Sequence, residues 1–350
     1  MKTILFFVLF GLVACELPKT EEPPKAEVAT GWEKQNSHLQ SSLGGLFFLN
    51  EKVGWISGNK GVVLHTTDGG NHYTPQQTGT DKLLVSIFFV DAKNGWAVGD
   101  QETIIQTSNG GQTWTLQVAT MATTPSSSDP VEKSPGRARG KKKDFTGLFF
   151  IDKDRGYVTG SKGTLFSTVN GGQNWTPIPL LFRGILTSVF FISPEVGWIS
   201  GDGGTIFYTE DGGAHFARQT TGTAKDLHRL FFINNKTGWA VGGNGLILGT
   251  KDGGQNWTTQ TSGVPTFLLG VSFVNEKMGW VTGAGGTILH TQDGGATWMQ
   301  QPSNTIDFLI STVFLNEKMG WIAGTKGTIL HTKKGGMPPP SVTPIKPVDH

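Results

Sequence analysis

One phrase, repeated along almost the whole 350-residue chain, limits what it can fold into. At residues 280–298 it reads WVTGAGGTILHTQDGGATW: a tryptophan-bearing strand, a glycine turn, a second strand ending in Thr291, a DGG turn and a closing Trp298. The aromatic that follows glycine recurs as Trp55, Trp96, Tyr157, Trp198, Trp239, Trp280 and Trp321; five of the six intervals are 41 residues, and Trp96 to Tyr157 is 61. The closing aromatic recurs as Tyr73, Trp114, Trp175, Phe216, Trp257 and Trp298 on the same 41-residue step, with the same single exception of 61 between Trp114 and Trp175. A period of about 40–45 residues with four short strand patterns per unit marks a propeller blade. Seven copies predict an all-β, seven-bladed β-propeller with four antiparallel strands per blade. The 50 glycines fall at fixed turn positions in each unit, where glycine permits positive φ.

The two ends of the chain do not follow the repeat symmetrically. The seventh unit reaches Thr332-Lys333-Lys334-Gly335-Gly336, and Pro339 stands where its closing aromatic belongs. Trp32, in Gly31–Gln35 (GWEKQ), lies 41 residues before Tyr73 and resembles the closing strand at Asn256–Gln260 (NWTTQ). The N-terminal strand is therefore expected to complete the last blade, closing the ring and leaving only short sheet edges. The propeller is expected over residues 32–336, with a Pro-rich, extended tail at 337–350.

Residues 1–15 read as an export signal: Lys2, an apolar run from Ile4 to Val13 too short to span a bilayer, and Leu12-Val13-Ala14-Cys15. The last four residues resemble the lipobox of bacterial lipoprotein signals, which implies lipidation of Cys15. Cys15 is the single cysteine, so no intrachain disulfide is possible. Residues 16–31, rich in Pro and Glu, read as a flexible tether.

The DGG turn appears as TTDGGNHY, TSNGGQTW, TVNGGQNW, TEDGGAHF, TKDGGQNW and TQDGGATW, with Asp68, Asn109, Asn170, Asp211, Asp252 and Asp293 at its third position. It resembles the Asp-box, or BNR repeat. An Asx oxygen there can accept backbone N–H groups within the turn, and six near-identical copies favour a structural role over calcium or sugar binding. The combination of GW, GxxG, DGG and W at this spacing, over residues 32–336, resembles the photosystem II stability and assembly factor family. The resemblance implies a lumenal, often lipid-anchored propeller. It also implies an arginine-rich patch that engages a membrane-protein subunit during complex assembly. The six arginines here, Arg137, Arg139, Arg155, Arg183, Arg218 and Arg229, do not match that patch residue by residue.

In a propeller, the turns between strands two and three share a face with the connections between blades. That face departs from the repeat at Lys60, Asp100, Glu102, Lys162, Asp202 and Arg183, and positions that vary among repeats are where function can be placed. It also receives 20 residues beyond the repeat, in the stretch of about 121–144, which turns basic at Lys133, Arg137, Arg139, Lys141, Lys142 and Lys143. Such a composition is disordered when alone, and either an inert insertion or an electrostatic arm for an acidic protein face or anionic lipid. These residues are the candidate partner-binding set. The expected partner is a protein, a membrane-protein subunit among the candidates; nucleic acid is not expected, and the chain is expected to be a monomer.

Catalysis is not expected. A sialidase-like site needs an arginine triad and a free tyrosine, whereas Tyr73 and Tyr157 occupy repeat positions. A two-carboxylate glycosidase needs acids about 5–9.5 Å apart across a cleft, and nothing in the sequence brings Asp100, Glu102 and Asp202 together. His65, His290 and His331 share one repeat position, where blades stand too far apart for one zinc ion; they read as partly exposed strand residues. No cofactor is expected. The reading is an exported, lipid-anchored, non-catalytic interaction scaffold. Its alternatives are a secreted carbohydrate-active Asp-box propeller and a related propeller with an envelope role in a non-photosynthetic bacterium.

Overall fold

Alternating apolar residues in short runs bounded by glycine turns give strands with one period-2 pattern per blade. The computed structural model describes residues 30–117 and 143–337, and in it these runs pair into seven four-stranded antiparallel sheets. Blade 1 comprises Leu43–Phe48, Gly54–Gly58, Val63–Thr66 and Thr74–Gln76. Blades 2 to 6 open at Leu84, Phe145, Leu186, Leu227 and Leu268. Blade 7 takes Leu309–Phe314, Gly320–Gly324 and Thr328–Gly336 from the C-terminal part and Gly31–Asn36 from the N-terminal part. The closing register runs from Glu33 opposite His331 to Asn36 opposite Thr328. The expected ring closure is therefore present.

Blades are joined by one aromatic motif. The second-strand aromatic of each blade lies flat on a phenylalanine of the next blade's first strand. Centroid distances are 3.7 Å for Trp55–Phe89, 3.6 Å for Trp96–Phe150, 4.3 Å for Tyr157–Phe191 and 3.6 Å for Trp198–Phe232. They are 3.4 Å for Trp239–Phe273, 3.5 Å for Trp280–Phe314 and 3.8 Å for Trp321–Phe48, which closes the circle. Trp114, Trp175, Trp257, Trp298 and Trp32 then meet the same phenylalanines edge-on at 5.8–6.0 Å. Such pairs contribute about 0.5–1.5 kcal/mol each beyond the area they bury. The glycine before each tryptophan has a steric cause: a Cβ on Gly54 would stand 2.6 Å from the Phe48 ring.

The same tryptophans hydrogen-bond across the junction. Each indole N–H donates to the carbonyl of the first DGG glycine of the next blade: Trp55 to Gly110 at 3.1 Å, Trp198 to Gly253 at 3.0 Å, Trp321 to Gly69 at 3.1 Å. Tyr157 does so through its hydroxyl, to Gly212. A fourth-strand glutamine donates to that same carbonyl, as Gln76 does to Gly110 at 2.9 Å, and its Oε1 accepts the next closing aromatic, as from Trp114 at 3.1 Å; between blades 2 and 3 this second bond is not made, and Gln117 Oε1 and Trp175 Nε1 stay buried without a partner. Trp32 enters this scheme as an ordinary closing aromatic, donating to Gln301 at 3.2 Å.

Blades 3 and 4 lack both ends of that last bond, with Ile178 at the glutamine position and Phe216 at the aromatic one. Neither leaves an unmatched donor or acceptor, so the loss is balanced. Installing only Ile178→Gln or only Phe216→Trp therefore adds a polar group without its partner, while the double variant restores the pair. Chemical denaturation should give a coupling of about 0.5–1.5 kcal/mol in the cycle; a coupling of zero would contradict the junction scheme. Trp32→Ala empties a site in the closing strand and should lower stability by about 3–5 kcal/mol. Deleting residues 16–36 exposes a sheet edge and should produce aggregation or a much lower Tm.

Candidate docking face

On the face shared by the strand two–three turns and the blade connections, each turn puts one residue at positive φ. These are Lys60 (56°), Gln101 (56°), Lys162 (59°), Gly203 (62°), Asn244 (55°), Gly285 (66°) and Lys326 (53°). Glycine is the residue that meets this conformation without strain, yet three blades hold an exposed lysine there. The following position is glycine in six blades because the chain returning from the same blade crowds it: a Cβ on Gly61 would lie 1.8 Å from the Thr80 carbonyl oxygen. Blade 2 alone carries a side chain there, Glu102 (φ 61°).

Backbone bonds tie these turns to the connections that fold over them, in blades 5 to 7 as in the arc of blades 1 to 4 that holds the candidate residues. The Gly61 N–H donates to Lys82 O at 2.7 Å, and Asp100 N–H to Leu83 O at 3.0 Å. Glu102 N–H donates to Lys143 O at 2.8 Å, Ser161 N–H to Asp144 O at 2.9 Å, and Gly163 N–H to Gly184 O at 2.7 Å. Asp144 is held further by Gln101 N–H at 3.0 Å, and its own N–H donates to Ser161 Oγ at 3.0 Å. Asp202 accepts the Ile185 N–H at 2.9 Å; burial raises its pKa, with Asp226 adding to the effect. Lys60, Asp100, Glu102, Lys143, Lys162, Arg183 and Asp202 thus occupy one continuous strip. Leu181, fully exposed beside Arg183, is a member that the sequence pattern did not single out. Lys133, Arg137, Arg139, Lys141, Lys142 and Cys15 lie outside the described residues.

The opposite face carries the DGG turns. In all seven blades a threonine Oγ1 accepts the N–H of the second glycine at 2.8–2.9 Å, from Thr66–Gly70 to Thr332–Gly336. Asp68, Asn109, Asn170, Asp211, Asp252 and Asp293 each accept the threonine hydroxyl and a backbone N–H four residues on. The backbone and side-chain bonds from His72 hold Asp68 down to about 2, those from His215 do the same for Asp211, and Thr297 does so for Asp293. Blade 7 has Lys334 at this position and keeps the turn through Thr332 alone.

One expectation needs correcting. His290 and His331 are not partly exposed: they are 1% and 4% exposed, and only His65 is half-buried. Each lies against its own blade's tryptophan, at 4.8 Å for Trp280–His290, 4.7 Å for Trp321–His331 and 4.9 Å for Trp55–His65. The third-strand position is covered by that indole, which the strand pattern alone does not reveal. Among the described residues no group of three or more His, Cys, Asp or Glu could hold a metal ion, and no helix is long and apolar enough to cross a membrane.

The architecture is that of a seven-bladed Asp-box propeller with one blade closed by both chain ends. The profile of the family described as photosynthesis system II assembly factor YCF48 matches residues 140–218, 174–266 and 260–343, together more than half of the chain, and the chain belongs to that family. Among solved structures it is similar to a YCF48 bound to a D1 peptide, with 21% identity, a TM-score of 0.68, and 91% of this chain and 99% of that one covered. It is also similar to YCF48 from Cyanidioschyzon merolae, at 20% identity and TM-score 0.68, covering 87% of this chain and 98% of that one. The GH74 enzyme of Niastella koreensis aligns at 17% identity and TM-score 0.65, covering 85% of this chain and 53% of that one. The chain thus spans about half of that enzyme. Likeness at these identities concerns the fold. No curated protein sequence matches the chain.

The buried histidines set a pH dependence. Burial, with a smaller push from Lys333 against Glu33, lowers His331 to about 4, and burial lowers His290 as well. The unfolded chain takes up protons near the ordinary histidine value of about 6.5 while the folded chain does not. Stability is therefore complete above that pH and declines as pH falls from about 6.5 towards 4. A Tm series from pH 7.5 to 4.5 should show this decline, and His331→Gln, which copies Gln106 at the same repeat position, should flatten it. An equally steep decline in the variant would mean that other groups govern it.

Proposed function

We propose that this chain is a non-catalytic scaffold, exported and lipid-anchored through Cys15, that docks a protein partner on the arc of blades 1 to 4. The observation carrying the reading is that the candidate residues of this face fall on consecutive blades. The residues that break the repeat on this face lie in adjacent, hydrogen-bonded loops, with exposed Leu181 and Arg183 at one end and the root of the basic insertion in the middle. An exposed leucine two residues from an exposed arginine suits a partner segment with an apolar side chain and an acidic neighbour. The six Asp-box residues take no part in it; their bonds are internal to their own turns. Family membership supports a role in assembling a membrane complex, and the D1 peptide seen on one similar structure supports a membrane-protein subunit as the partner class.

The basic insertion would act by steering, raising association rates more than final affinity. Such steering weakens as the Debye length shortens from about 10 Å at 0.1 M salt to about 3 Å at 1 M. A photo-crosslinker at position 181 should capture the partner from native membranes, while one at Asn71 on the opposite face should not. Replacing Arg137, Arg139, Lys141, Lys142 and Lys143 with Ser should leave Tm unchanged, slow association and flatten its salt dependence. Equal capture at both positions would remove the arc from consideration. An unchanged rate would make the insertion inert. Glycan hydrolysis by the purified protein would favour the carbohydrate-active alternative.

A further inference from the structure

The innermost strand of each blade carries one position, paired with the second strand, that is Gly45, Ser86, Gly147, Ser188, Gly270 and Ser311 in six blades. Its side chain faces the first strand of the next blade at close range. A Cβ on Gly147 would lie 3.2 Å from Ser188 Cα, and one on Gly270 would lie 3.2 Å from Thr312 N. Blade 5 has Arg229 there, opposite Val241. By the repeat it faces the backbone of the next first strand close by, while Gly270 turns its own open side towards Thr312 of blade 7 and makes no room for the arginine stem. The first strands of consecutive blades pack against one another all round the ring and so form its inner rim, which leads so long a side chain towards the central channel.

The guanidinium there has no hydrogen bond and no ion pair to any described residue. Desolvation lowers its pKa, and no carboxylate offsets that effect. Yet its nitrogens are not among the sealed, unpartnered atoms of the interior, and the residue keeps part of its surface accessible. An arginine in a confined but reachable space, with all its donors free, is costly unless an anion or water completes it. The nearby titratable groups do not compensate. His228 Nδ1 is bonded to Leu268 O at 2.8 Å, and the carboxylates of Asp202 and Asp226 hold backbone N–H groups of the outer turns.

We propose that Arg229 makes the central channel a binding site for a small oxyanion, a carboxylate or a phosphate, held by paired N–H donors of the guanidinium. The site is independent of the docking arc and does not rest on the function proposed for it. Arg229→Ser reproduces the residue of blades 2, 4 and 7 and so retains the fold. Arg229→Lys keeps the charge without the planar fork.

The test is the Tm of the purified protein, with isothermal titration calorimetry beside it, against inorganic phosphate and against acetate at constant ionic strength. Wild type should show a saturable rise of about 2–3 °C with at least one of them. R229S should show no saturable rise and a higher Tm in anion-poor buffer, since the desolvated cation is gone. R229K should respond more weakly than wild type. A response to acetate alone assigns the site to carboxylates, and a response to phosphate alone assigns it to phosphoryl groups. Equal responses in wild type and R229S, or no response to either anion, would overturn the proposal.

Discussion

Each blade offers the preceding one an acceptor, the carbonyl of the first DGG glycine, and the ring depends on it. That carbonyl is fixed by a turn whose glycines sit at positive φ and whose threonine and Asx oxygens absorb the local N–H groups. It then receives the preceding blade's tryptophan and, in six junctions, its glutamine. A hydrogen bond of this kind contributes only about 0.5–1.5 kcal/mol net. Its importance is geometric, because a tryptophan held at the N–H end and stacked on phenylalanine along its face has one permitted orientation. Seven such junctions fix the angle between blades, and that angle decides whether seven sheets close a circle. The last junction is not covalent. Gly69 accepts from Trp321 and Gln35, which reach blade 7 from opposite ends of the chain.

Departures from the repeat show which parts of the junction are interchangeable. Tyr157 keeps both the stack and the bond with a smaller ring, and a cleft of about 310 Å³ opens beside it between Arg155, Val169 and Glu195. Ile178 and Phe216 give up a bond together. Lys334 gives up the Asx acceptor while the threonine–glycine bond remains. The threonine and the two glycines are common to every turn, so they, rather than the aspartate, are the minimum that the Asp-box requires.

The fold was legible because the repeat is periodic in the residues that the junction dictates. Trp55 to Trp321 count the blades, and the displacement of Trp32 from the far end of the chain announces the shared blade. The docking face was legible only as a set of exceptions. Sequence identifies Lys60, Glu102, Lys162 and Arg183 as departures from the repeat, but the backbone bonds that make them neighbours depend on how each connection folds back over a turn. The buried histidines were misread for a related reason. Strand alternation says which side His290 is on, not that an indole of the same blade lies over that side. Arg229 could have been found by aligning the repeat position by position, since no other blade places anything larger than serine there.

The two faces differ because the scaffold leaves them unequal freedom. On the Asp-box face, nearly every polar atom of each turn is committed to holding a carbonyl towards the neighbouring blade, so a substitution there disturbs closure. On the other face, the turn needs only two residues at positive φ and a bond to the returning connection, and that bond uses backbone atoms. Glu102 illustrates the consequence: beside the insertion it replaces a glycine and still donates its N–H to Lys143 O as the glycines donate elsewhere. A bond that does not depend on side-chain identity lets the side chains above it vary. Variable residues therefore accumulate on the strand two–three face without cost to the ring, which is the physical reason to look for recognition there.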